Sequence, residues 1–261
     1  THGRVSVNDT DVYESFDSIR NLIGFVPQKD IIHTELTVYQ ALDYSARLRM
    51  PPDTSEAERH ARVMQVLEDL DLEDRGDVSI ASLSGGQQKR VSIGVELLTK
   101  PGLFFLDEPT SGLDPGTETA LMHLMRRLAD RGRTIVLITH ATKNVLLADK
   151  VVFLARGGFL AWFGPPEAAL TYFDQLRADR ERFAGPMEFD QIYALLEDPS
   201  KGTPQQWAER YKEDAAYRSY IVAPLHGKPK ADALERPNVK EPRRRQTSSL
   251  RQLLILSSRN V

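Results

Sequence analysis

The spacing of apolar positions divides the chain into strand-like and helix-like stretches. Two short runs near the start, Arg4 to Val7 and Leu22 to Val26, read as strands, with the polar segment Asn8 to Ser18 between them. From Pro51 to Val78 the period becomes that of a helix: Ser55 and Glu58 form a capping box, and Val63, Val66, Leu67 and Leu70 share one face. The run Gly102 to Leu106 is wholly apolar and bounded by Pro101 and Asp107, which predicts a strand buried on both sides of a parallel sheet. A helix follows, with Asp114 as N-cap, Pro115 at its first position, and Leu121, Leu124, Met125 and Leu128 as its buried stripe. Thr134 to Thr139 predicts a second buried strand, so this part of the chain reads as the βαβ unit of a doubly wound α/β sheet. Val151 to Phe163 is two apolar runs around Gly157-Gly158, a hairpin expected to close the sheet's edge.

Beyond Gly164-Pro165-Pro166 the pattern is helical to about Ile221, with Phe173, Phe189, Tyr193, Trp207, Tyr211 and Tyr217 available to dock it. Ala223 to Arg245 is rich in proline, lysine and arginine and reads as a linker ending in Arg243-Arg244-Arg245. In the last stretch, Ser248 to Val261, the residues Leu250, Leu253, Leu254 and Val261 share one helical face while Ile255 and Leu256 fall off it. That pattern suits a helix lying along a membrane surface.

Composition narrows the classes. With 261 residues and 41% hydrophobic residues, the chain can build one sizeable α/β core and a smaller subdomain. A net charge of -3, spread along the chain, lacks the basic footprint of a dedicated nucleic-acid binder, so no nucleic acid is expected as partner. Cysteine is absent, which removes disulfides and thiolate metal sites and agrees with a reducing compartment. No stretch approaches the roughly 18 apolar residues of a membrane-spanning helix, and the first residues do not resemble a signal peptide.

Two motifs carry chemistry. In Leu83-Ser84-Gly85-Gly86-Gln87-Gln88-Lys89-Arg90, directly before an apolar helical stretch, two glycines let backbone amides approach an anion and Ser84 adds a hydroxyl. The helix that follows aims its positive end at the same place. In Leu103-Phe104-Phe105-Leu106-Asp107-Glu108 a strand delivers two adjacent carboxylates at its C-terminal end, the edge where open α/β sheets bind ligands. An aspartate there suits Mg²⁺, and a neighbouring glutamate suits the water that attacks a γ-phosphate. Taken alone, each has a plainer explanation: a flexible glycine loop, and a pair of capping carboxylates.

Together the motifs resemble the ABC ATPase family. LSGGQQKR is similar to the family signature, LFFLDE to the Walker B strand, Ser111-Gly112-Leu113-Asp114 to the D-loop, Thr139-His140 to the switch histidine, and Val26-Pro27-Gln28 to the Q-loop. LTVYQALDYSARLRMP, GVELLTKP and FFLDEPTSGLD narrow the likeness to the G-type half-transporters and their bacterial relatives. The resemblance implies a P-loop NTPase-like core, a parallel sheet with flanking helices and an edge hairpin, carrying an inserted helical subdomain and a C-terminal helical extension. Expected boundaries are 1–164 for the ATPase domain, with the subdomain at about 29–100, then 165–222 for the extension, 223–245 for the basic linker and 246–261 for an amphipathic connecting helix.

By the same resemblance the ligands are ATP and Mg²⁺. Gln28 and Asp107 would hold the metal, partly through water, Glu108 would activate the attacking water, and His140 would contact the γ-phosphate. Ser84, Gly85, Gly86, Gln87 and Asp114 would meet nucleotide across a head-to-tail dimer with a second ABC ATPase domain. The remaining partners implied are a transmembrane domain of the same polypeptide and, through the C-terminal helix, an anionic membrane surface at the cytoplasmic face of the cell membrane. Outside that setting Gln28 would read as a strand-end residue and His140 as a surface histidine, and His2, His33, His60, His123 and His226 read as structural.

The chain contains no Gly-x-x-x-x-Gly-Lys-Ser/Thr loop, which in the family precedes the strand that here is Arg4 to Val7. The expectation is therefore an N-terminally truncated domain, inactive by itself and active in transport, as an exporter by family likeness, once the loop is restored. Two rivals are a soluble ABC protein acting on ribosomes or DNA, which the basic linker and amphipathic tail disfavour, and an interaction module without catalysis, which Glu108 and His140 disfavour.

Overall fold

The computed structural model describes residues 3, 5–178, 182–183, 185–226, 252, 255 and 257. Arg4, the linker beyond His226 with its arginine triplet, and the tail leucines Leu250, Leu253 and Leu254 with Leu256 and Val261 lie outside the described residues. Two compact units divide at His140/Ala141, the first also taking in Gln252, Ile255 and Ser257 near the C-terminus. These three tail residues are helical, and Ile255 is buried.

The first unit opens on a hairpin of β1 (Ser6–Val7) and β2 (Thr10–Asp11). Its turn residues Asn8 and Asp9 have φ of 48° and 61°, the left-handed pair that a two-residue hairpin requires and that Asn and Asp tolerate. The segment expected to be a polar connection thus holds a returning strand. One helical turn, α1 (Phe16–Ile19), precedes β3 (Ile23–Val26).

A parallel three-stranded sheet, in the order β3, β4 (Leu103–Asp107), β5 (Thr134–Ile138), organises the unit. Val26 pairs with Leu106 and Leu106 with Leu137, so the three strands end at one level. Val26, Phe104 and Leu106 are buried in the core on one face, whereas Phe25, Val136 and Ile138 on the other are 54%, 38% and 54% exposed. The expectation of strands buried on both sides is corrected here: an unbroken apolar run reads the same whether one face is covered or two.

Four helices pack on the covered face and one another: α2 (Val38–Arg49), α3 (Glu56–Asp69), α4 (Gly85–Leu97) and α5 (Pro115–Asp130). Their starts are chemically explicit. Thr37 with Gln40, Ser55 with Glu58, and Ser84 with Gln87 form reciprocal capping boxes, and Asp114 caps α5 with Pro115 at its first position. The helix expected from Pro51 to Val78 is shorter, because Pro51 to Thr54 precede the Ser55 cap and Asp71 turns left-handed at φ 54°. Val63, Val66, Leu67 and Leu70 are fully buried as its stripe predicted, as are Leu121, Leu124, Met125 and Leu128 of α5. Each such side chain contributes about 1.5 to 3 kcal/mol. Arg62, buried in α3, donates to the carbonyls of Leu97 and Leu98, supplying partners for orphan acceptors at the end of α4.

In the second unit, β6 (Val151–Ala155) and β7 (Phe159–Gly164) form the expected hairpin around Gly157 and Gly158, whose φ values are 83° and 80°. It is a separate two-stranded sheet and not an edge of the parallel one, because its strands pair only with each other among the described residues. Helices α6 (Pro166–Gln175), α7 (Phe189–Glu197) and α8 (Pro204–Glu213) pack around the hairpin's buried Phe153 and Trp162. Trp162 lies 5.0 Å from Tyr172 and 5.4 Å from Tyr211 between ring centroids, and Tyr211 donates its hydroxyl to the Phe163 carbonyl at 2.6 Å. Helical turns continue over residues 215–226, so Ala223–His226, read as the linker's beginning, is helical. No helix among the described residues is long and apolar enough to cross a membrane.

Candidate active site

The end of β4 is where the backbone departs from ordinary geometry. Glu108 follows Asp107 with φ of 41°, a left-handed conformation that costs a residue of this kind roughly 1 to 2 kcal/mol. Its N–H still donates to the Ile138 carbonyl at 2.8 Å, extending the ladder with β5, while its own carbonyl accepts from Ser111 N–H at 3.1 Å. These bonds hold the turn that takes the chain off the sheet at the carboxylate pair.

Equal strand ends then bring three distant residues together. Gln28 lies two residues past β3, Glu108 one past β4, and His140 two past β5. Gln28 Nε2 donates to Glu108 Oε2 at 3.2 Å, and His140 Nδ1 lies 3.3 Å from the same oxygen. The Glu108 side chain is 31% exposed and that of His140 73% exposed, so the cluster is open to solvent-borne ligands. The half-buried Asp107 is next to it in sequence at the strand end.

This arrangement suits a hard divalent cation. Using Gln28 Nε2 on Glu108 leaves the amide oxygen of Gln28 free as a ligand, and the Asp107 carboxylate supplies a second oxygen from the adjacent strand. Among the described residues no cluster of three or more acidic, histidine or cysteine side chains forms a full protein cage. Two oxygen donors fit Mg²⁺, which keeps several waters and takes substrate phosphate oxygens for the rest.

Ser84, Gly85, Gly86 and Gln87 form a separate group at the start of α4. Ser84 Oγ accepts from Gln87 N–H at 3.4 Å, and Gln87 Oε1 accepts from Ser84 N–H at 3.0 Å, leaving the serine hydroxyl hydrogen free to donate. Gly85 is exposed, whereas Gly86 is buried against α5: a Cβ there would stand 2.2 Å from Thr117 Cγ2. Close packing of α4 on α5 is a demand on this glycine that reading it as part of an anion cradle did not contain.

Asp114 Oδ1 accepts from Gly116 N–H at 3.0 Å and Thr117 N–H at 3.1 Å, and Oδ2 accepts from the Thr117 hydroxyl at 2.5 Å. The Thr117 hydroxyl, followed by the backbone donors, holds this carboxyl below the usual carboxylate range. Lys89 and Arg90 close the octapeptide, where the sequence alone assigns them no role. Lys89 turns inward to the Gln28 carbonyl and Asp30, while Arg90 bonds the Leu70 carbonyl and Asp71, where Arg127 of α5 also pairs.

Comparison with known proteins gives the family of the chain. Residues 1–111 match the model of the ABC transporter family. The chain is 46% identical over 166 residues to an ABC transporter ATP-binding/permease protein of Mycobacterium tuberculosis, covering 64% of this chain and 19% of that protein. It is 40% identical over 170 residues to ABC transporter G family member 28 of Arabidopsis thaliana, covering 62% of this chain and 15% of that protein. Against the broad substrate specificity ATP-binding cassette transporter ABCG2 of Mus musculus it is 31% identical over 261 residues, covering 90% of this chain and 38% of that protein. The chain thus spans between 15% and 38% of the length of these three relatives. With the family match on residues that include β3, β4, Gln28 and Glu108, and with these relatives, the chain carries an ATP-binding domain of the ABC transporter family, of the G type.

Proposed function

We propose that this domain hydrolyses ATP and, in an assembled transporter, couples hydrolysis to movement of a substrate across a membrane. The observation that carries the reading is the convergence of Gln28 and His140 on one oxygen of Glu108 at the C-terminal edge of the sheet. Glu108 accepts one hydrogen bond from Gln28 and keeps lone pairs for a water, whose proton it takes as that water attacks the γ-phosphate. Gln28 fixes the carboxylate's direction, and the exposed His140 would contact a phosphate oxygen of the bound nucleotide. Asp107 and Gln28 hold Mg²⁺, which when bound neutralises charge on the phosphates.

Ser84, Gly85, Gly86 and Gln87, at the positive end of α4, serve the nucleotide of a partner domain in a head-to-tail dimer, with Asp114 at the interface. The free Ser84 hydroxyl and the outward N-terminus of α4 support that role. The membrane domain of the transporter and an anionic cytoplasmic membrane surface are the other proposed partners, the latter on the sequence pattern of the C-terminal helix. The phosphate-wrapping glycine and lysine loop is absent from these 261 residues, so activity is measured in the assembled transporter. Steady-state ATPase assays of Glu108→Gln test the reading: turnover is expected to collapse with ATP binding retained, and near-normal turnover would refute it.

A further inference from the structure

Lys89 is 4% exposed, in the middle of the signature helix α4, and its Nζ donates to the Gln28 carbonyl at 2.9 Å and to Asp30 Oδ1 at 2.8 Å. Burying an ammonium group is costly unless its donors are used, and here both bonds are charge-assisted and both go to one short segment. That segment needs an external hold, since residues 27–33 lie in neither helix nor strand. Gln28 is thereby fixed at both ends: its backbone oxygen by Lys89, its side-chain amide by Glu108. Stability alone gives little reason for the pair, because well-packed apolar replacements of buried ion pairs are often neutral or stabilising.

We propose that Lys89 is a positioning residue that holds Gln28 in its working place, so that the position of the signature helix sets the geometry of the Mg²⁺ and water-activating groups in the same subunit. The inference rests on the proposed roles of Gln28 and Glu108. Ser84 caps the same 13-residue helix five positions before Lys89, roughly 7.5 Å along a rigid rod. A displacement of α4 caused at Ser84 is therefore delivered to the Gln28 carbonyl. Arg90, the next residue, points to Asp71 and carries none of this link.

The test uses the assembled transporter carrying Lys89→Met, which keeps the length and apolar stem of the side chain. Outer partners that orient metal ligands typically cost 10- to 100-fold in metal affinity or activity when removed, so the Mg²⁺ concentration for half-maximal turnover should rise about tenfold. Independently of turnover, hydrogen exchange of the amides at 28–30 in the nucleotide-free protein should quicken several-fold, while exchange in β4 stays unchanged. A purely structural lysine would lower the melting temperature and leave both readouts alone, and that result overturns the proposal. Asp30→Asn, at an exposed partner position, carries the same test if Lys89→Met does not fold: a rise in the Mg²⁺ requirement supports the clamp, and an unchanged one overturns it. Glu108→Gln run in parallel separates the two ideas. If Glu108→Gln retains turnover, the ATPase reading itself fails; if it is inactive while Lys89→Met behaves as wild type, only the clamp fails.

Discussion

His140 Nδ1 lies 3.3 Å from Glu108 Oε2, the oxygen that also accepts the amide of Gln28 at 3.2 Å. A single carboxylate oxygen thus joins the ends of all three parallel strands.

Glu108→Gln preserves the shape and one hydrogen-bonding oxygen but removes the base. Hydrolysis in the assembled transporter should fall about 10²- to 10⁴-fold with ATP binding intact. Asp107→Asn should instead weaken nucleotide binding as well, because a metal ligand is lost. Paired ATPase and equilibrium nucleotide-binding measurements distinguish the two patterns, and the same loss of binding in both variants would contradict the division of roles.

The two signature glycines should respond oppositely to alanine. At Gly86 the added methyl group would stand 2.2 Å from Thr117 Cγ2, so Gly86→Ala should destabilise the domain by about 1 to 3 kcal/mol. At Gly85 the nearest atom is Leu113 Cδ2 at 3.6 Å, an ordinary contact, and Gly85→Ala should leave the unfolding midpoint unchanged or slightly raised. Thermal unfolding of both variants is the check.

Arg62→Met should move the urea midpoint downward. The substitution strips the Leu97 and Leu98 carbonyls of their buried donor, a loss of roughly 2 to 3 kcal/mol for hydrogen bonds from a charged group. Arg62 touches no residue of the Gln28, Glu108 and His140 cluster, so nucleotide affinity of the folded variant should be unaltered.

Burial pushes the Tyr172 hydroxyl up to about 12 from an ordinary 10.0. The folded state therefore holds this proton more tightly than the unfolded state, so the contribution is fully present below pH 10 and is lost as pH rises towards about 12. Chemical denaturation across that window should show falling stability, with a shallower fall in Tyr172→Phe. An equal slope in the variant would assign the alkaline loss to other groups.

How much of this was legible depended on whether a feature leaves a local pattern. The Ser55 and Glu58 box, the Asp114 cap and the stripes of α3 and α5 follow from periods within one element, and they were readable. Strands of two residues have no period, so β1 and β2 were not resolved as a hairpin, although Asn8-Asp9 was a usable turn signal. The meeting of Gln28, Glu108 and His140 required the register of three parallel strands, which motif order suggests through family resemblance but residue spacing alone does not supply. Lys89 gave no signal because a lysine in a polar octapeptide looks solvated until the partner segment, about sixty residues away, is folded against it.

The left-handed backbone at Glu108 sets this residue against the rest of the domain. Asparagine adopts that conformation more readily, so Glu108→Asn would relieve part of a backbone cost of roughly 1 to 2 kcal/mol while discarding the longer carboxylate. A directed-evolution screen rewarding heat resistance alone would accept such a change, and each survivor would be a sturdier protein with its proposed engine removed. Libraries built on this domain therefore need turnover as a second criterion at this one position, where endurance and work select opposite residues.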